Sequence, residues 1–135
     1  MSDSCSSLDI PLLSRLIAKE VEAFAQAHNL KPTLWYHGAP YWYVQRKEAG
    51  GLIREVHIAV YYAKGGERLY AIPQAYKYEG ERRKISKPRP QQAEYTVRLL
   101  HHFHDESEVC RKIRILLEYA WLWAEAIEED ELVEG

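Results

Sequence analysis

Glu55 and His57 stand two residues apart in Ile53 to Ala63, a run that reads as an extended strand, so both side chains leave the same face. A carboxylate beside an imidazole can act as acid and base if a cleft encloses the pair, whereas on an open surface the same residues make an ordinary cross-strand contact. A second polar cluster, His101, His102, His104 and Asp105, would place His101 and Asp105 one helical turn apart, with Glu108 continuing that side. That spacing permits metal ligation. It lacks the glutamate between two histidines four positions apart that marks helical zinc sites, so a solvated polar face is the simpler expectation. No metal and no cofactor is assigned.

The sharpest charge feature is Arg82, Arg83, Lys84, Lys87 and Arg89, five cations within eight positions. On a segment held extended by Pro88 and Pro90 they could follow a phosphate backbone while nearby aromatics stack on bases. Read more plainly, they form a solvated linker whose charge Glu79 and Glu81 partly offset. Cys110 falls in an apolar helical pattern that disfavours a thiolate, and no serine occupies a strand-turn-helix elbow. The glycine pairs Gly50-Gly51 and Gly65-Gly66 have no helix after them, which makes them hairpin turns and not phosphate cradles. No catalytic residue is assigned.

Between Trp35 and Tyr78 lie eight of the ten tyrosines and two of the four tryptophans. On a sheet, such rings either seal a core or form a platform. Alternation in the middle run, with Val56, Ile58, Val60 and Tyr62 against Glu55, His57, Ala59 and Tyr61, gives one face to the core. The other face would show Tyr41, Tyr43, His57 and Tyr61, with Ala59, Ala71 and Ala75 leaving a shallow depression among them. Such a surface suits a flat ligand, a peptide or a partner's helix.

Two helical regions must position this sheet. Asp9 can cap the first, Pro11 suits its opening turn, and Leu12, Leu13, Leu16, Ile17, Val21 and Phe24 recur at helical spacing. Asn29, Leu30 and Pro32 mark its end. Three strands follow, Tyr41 to Lys47, Ile53 to Ala63 and Leu69 to Tyr78, with Leu34 to His37 as an optional fourth. Pro73 cannot donate to a ladder, which suggests an edge strand or a bulge. Glu79 to Pro90 reads as a linker and Gln91 to His104 as a helix, although Tyr95, Thr96 and Val97 would also suit a strand. Asp105 and Glu108 resemble a capping pair before a long helix that ends near Glu128.

On that last helix Arg111, Arg114, Glu118 and Glu125 project as one narrow charged stripe. Val109, Ile113, Leu116, Leu117, Ala120, Ala124 and Ile127 should face the sheet. Ile115, Tyr119, Leu122 and Ala126 form a second apolar strip, which its own chain or a partner must cover.

At 135 residues the chain suits one domain, 9–128, between a disordered serine-rich tail at 1–8 and an acidic tail at 129–135. A net charge of -2 and a pI of 6.3 argue against whole-surface binding to nucleic acid or anionic membrane. Two cysteines make no disulfide framework, so a reducing, cytoplasmic location is expected. The window Ile113 to Ile127 carries two glutamates and falls short of the roughly 20 apolar residues of a membrane span. The fold expected is α+β: a meander of three or four antiparallel strands, covered on one face by the N-terminal helix and a C-terminal helical region. This order is similar to that of double-stranded RNA-binding domains in its succession of elements alone. Their loop residues and basic helix start have no counterparts here, and no family is assigned.

Three functions follow as expectations. The first is a non-enzymatic binding or assembly module that forms a homo-oligomer or docks a protein partner, using the aromatic face and the strip Ile115, Tyr119, Leu122 and Ala126. The second is a nucleic-acid-associated protein working through the 82–89 segment. The third is a small-ligand enzyme built on Glu55 and His57.

Overall fold

The computed structural model describes residues 10–36, 40–63, 66–87, 97–98 and 105–134. Helix α1, Ile10–His28, buries Leu13, Leu16, Ile17, Val21, Phe24 and Ala25 along one stripe. It ends in a Schellman turn: Asn29 takes the left-handed conformation at φ 56°, the Leu30 N–H donates to the Ala25 carbonyl at 2.7 Å, and the Asn29 N–H to Gln26 at 3.4 Å. That turn reverses the chain into the sheet.

Strands β1 (Lys31–Tyr36), β2 (Pro40–Lys47), β3 (Ile53–Ala63), β4 (Gly66–Glu79) and β5 (Arg82–Ser86) run as successive antiparallel neighbours. The short β6, Val97–Arg98, pairs with the first part of β4, and β7, Leu132–Glu134, lies beside β5. Helix α2, Glu106–Ala126, precedes β7. Its N-terminus is capped as expected, with the Asp105 carboxylate accepting from the Glu108 N–H at 2.7 Å. Such a cap contributes about 1 kcal/mol.

Both helices lie on one face of the sheet. Trp42, Val44, Val56, Ile58, Leu69 and Ala71 alternate inward to meet the α1 stripe and Val109, Ile113, Leu116, Leu117, Ala120, Trp121 and Ala124 of α2. Each large apolar side chain hidden there stabilises by roughly 1.5–3 kcal/mol. The α+β class therefore holds, and the strand count does not: among the described residues the sheet has seven strands.

Four expectations are corrected. The supposed linker at Glu79 to Pro90 contains β5, joined to β4 by a two-residue turn whose first position, Gly80, takes φ 66° without a side-chain clash. Its polarity hid it, since Ile85 is the lone apolar residue among its five. The stretch 129–134, expected as a tail, forms a 3-10 turn and β7, and Leu132 is buried with Leu52, Ala75 and Ile127. Pro73 is on no edge strand, because β4 has β3 on one side and β5 and β6 on the other. It falls between the two partners on that second side, at a level where β3 is the only pairing among the described residues, so no ladder bond is lost there. Of the helix expected at Gln91 to His104, Val97 and Arg98 are strand, and the remainder lies outside the described residues, as do His101, His102, His104 and the tail at 1–8.

Candidate functional site

The face of the sheet opposite the helices is set by register. Tyr43 pairs with His57 and His57 with Ile72; one row along, Gln45 pairs with Glu55 and Glu55 with Gln74. Three neighbouring strands thus bring a carboxylate between two amides. Gln45 Nε2 donates to one Glu55 oxygen at 2.6 Å, the Gln74 amide donates to the other, and Gln45 Nε2 also donates to the Tyr76 hydroxyl at 3.1 Å. Glu55 is only 3 % exposed. Burial pushes its carboxyl above the ordinary range, a rise opposed by the two amide hydrogen bonds and by the charge of Arg83.

Above the carboxylate, Tyr43, Gln45, Gln74, Tyr76 and Arg83 line a depression of about 240 Å³. The Arg83 guanidinium lies over the Tyr76 ring, 5.9 Å from its centroid, at the rim. Burial and the neighbouring Glu55 charge push the Tyr76 phenol up. Beside the depression, the His57 ring stacks on Tyr43 at 4.6 Å and meets the edge of Tyr70 at 5.8 Å. Burial pushes His57 below its ordinary value.

Glu55 and His57 therefore share a face as expected, with each carboxylate oxygen accepting from a glutamine amide and the imidazole stacked on Tyr43. Tyr43 joins them. In the register Tyr41 pairs with Ala59 and Tyr61 with Arg68, and the side chains of both tyrosines lie outside the described residues. Ala59 belongs to this face, whereas Ala71 and Ala75 pair with Ile58 and Arg54 and belong to the helix-covered face. The depression is framed by Gln45, Gln74 and Tyr76, which carry no motif and become partners only through register.

The basic run is divided by the strand it forms. Arg82 pairs with Glu134 at 3.0 Å, Lys84 with Glu79 at 3.1 Å, and Arg83 lies on the opposite face over Tyr76. Lys87 is exposed, and Arg89 lies outside the described residues. Alternation thus breaks a continuous cationic track. Cys110 is buried, and burial together with Glu20 pushes its thiol up, away from a reactive thiolate. Among the described residues no three His, Cys, Asp or Glu side chains are grouped as metal ligands, and no helix is long and apolar enough to cross a membrane.

On α2 the charged stripe is largely tied down. Arg114 reaches Glu20 on α1 through two hydrogen bonds of 3.0 and 3.2 Å, Glu118 meets His28 at 3.1 Å, and Glu125 meets Arg46 on β2 at 3.1 Å. The apolar strip beside it faces solvent, with Ile115 51 %, Tyr119 42 % and Leu122 64 % exposed and Ala126 also exposed. Known protein families, curated proteins and solved structures were compared with this chain, and none matches.

Proposed function

We propose that this chain is a non-enzymatic assembly module that pairs with a second copy of itself through the outer strip of α2. The observation that carries the reading is the exposure of Ile115, Tyr119 and Leu122, with Ala126, on a helix whose opposite face buries Val109, Ile113, Leu116, Leu117, Ala120 and Ala124. With Ala126 they recur at intervals of four, three and four residues, the spacing of a helix-helix seam. An antiparallel two-fold pairing about Tyr119 sets Ile115 of one copy against Leu122 of the other. The same pairing brings Arg111, exposed at one end of the strip, toward Glu125 of the second copy.

The strip is about 16 Å long at the helical rise per residue. Its few side chains cover less than the roughly 800 Å² per partner of a stable interface, so the dimer should be concentration-dependent in the micromolar range. Light scattering across a dilution series tests this. Leu122→Glu should give a folded monomer at every concentration, and an oligomer that survives that substitution would rule the interface out.

A further inference from the structure

We propose that the depression above Glu55 is a binding site for a monoalkylguanidinium group, the planar cation carried by free arginine and by arginine side chains. The site is on the sheet face opposite α2, so it stands or falls independently of self-association.

Three observations carry the assignment. A carboxylate that is 97 % hidden forms the floor, and among the described residues no cation lies within ion-pair distance of it. Keeping an unpaired charge there is costly, and a cationic guest is the complement that offsets the cost. Each Glu55 oxygen accepts one amide hydrogen and retains capacity for another, in the side-by-side arrangement that two parallel guanidinium N–H groups match. Tyr43 and Tyr76 line the opening, and Arg83 of the chain itself already lies over the Tyr76 ring without pairing to Glu55. The rim thus accepts a planar cation.

Size narrows the guest. About 240 Å³ is below the roughly 300–1,000 Å³ of sites for drug-sized ligands, and it fits one side-chain head group. An ammonium is a compact, strongly hydrated point charge without the two-pronged donor edge, and should bind more weakly.

Calorimetry on the full chain tests the assignment with methylguanidinium, methylammonium, free L-arginine and an N- and C-capped Gly-Arg-Gly peptide. The expected result is one saturable guanidinium site, with methylammonium at least about tenfold weaker. Glu55→Gln keeps the shape and removes the charge, and either glutamine amide can turn over to bond with it. That variant should lose roughly 10- to 100-fold in affinity. Arg83→Ala removes a competing cation and should tighten binding. Side-chain amide resonances of Gln45 and Gln74 should shift on titration in the native chain. A peptide at least tenfold tighter than free arginine identifies a protein-borne guest, and equal affinity identifies a free small molecule. No saturable binding by any guanidinium, equal affinity for methylammonium, or undiminished binding by a folded Glu55→Gln chain would each overturn the proposal.

Discussion

Arg54 on β3 holds the end of α2: its Nη1 donates to the Ala124 carbonyl at 2.7 Å, and equally closely to that of Ile127. The last carbonyls of a helix have no partner within it, so the guanidinium supplies what the helix cannot. Arg54→Met should lower unfolding free energy by about 2 kcal/mol, since hydrogen bonds to a charged group are lost and carbonyls are stranded. Urea denaturation would read this, and a loss below about 0.5 kcal/mol would show that water replaces the arginine without cost.

Acid and base should act oppositely on buried Glu55 and half-buried His57. Burial raises Glu55 above its ordinary 4.5, so its contribution is fully present below that pH and is lost as pH rises through the folded-state value. Burial lowers His57 below 6.5, so its contribution is present above that pH and is lost as pH falls. Tyr43, Tyr76, Lys31, Lys47 and Arg83 share the face with them. Glu55→Gln should therefore melt close to the native chain near pH 4. At pH 7 it should melt a few degrees higher, on the order of 1 kcal/mol. A constant difference across that range would place the shift elsewhere.

Removing residues 129–135 should be costly for a stretch so acidic. Leu132 is buried against Leu52, Ala75 and Ile127, and β7 pairs with β5, so Leu132→Ala alone should cost about 2 kcal/mol. Thermal denaturation of both changes would show a larger drop for the truncation. An unchanged melting temperature in the truncated chain would return the segment to the status of a tail.

Asn29 sits at φ 56°, a conformation glycine adopts freely and alanine resists. Asn29→Gly should leave stability unchanged or slightly improved, and Asn29→Ala should lower it by about 1 kcal/mol. Equal melting points for the two variants would indicate that the turn opens.

The helices and the inward sheet residues were legible because periodicity reports burial directly. Val109, Ile113, Leu117 and Ala124 could be assigned to the core from spacing alone. Strand β5 was not legible, since Arg82 to Ser86 has no alternating apolar pattern and is held by ion pairs to Glu79 and Glu134. The Glu55 site was half legible. Its carboxylate stood out, but Gln45 and Gln74 did not, because a glutamine gains meaning only from what lies across the ladder. The glycine pairs held that information: a hairpin centred at Gly50 sets Gln45 opposite Glu55, and the register that pairs Ala63 with Gly66 sets Glu55 opposite Gln74.

The turn between β2 and β3 contains one carboxylate, Glu48, that meets Arg46 at 3.0 Å and Arg54 at 3.2 Å. Arg46 covers Trp121 and pairs with Glu125, while Arg54 grips the carbonyls at the end of the same helix. Exchanging this hairpin loop for another of equal length would therefore not be a neutral graft. It would unfasten two arginines at once, and the damage would surface a layer away, in the final turn of the helix that those arginines hold.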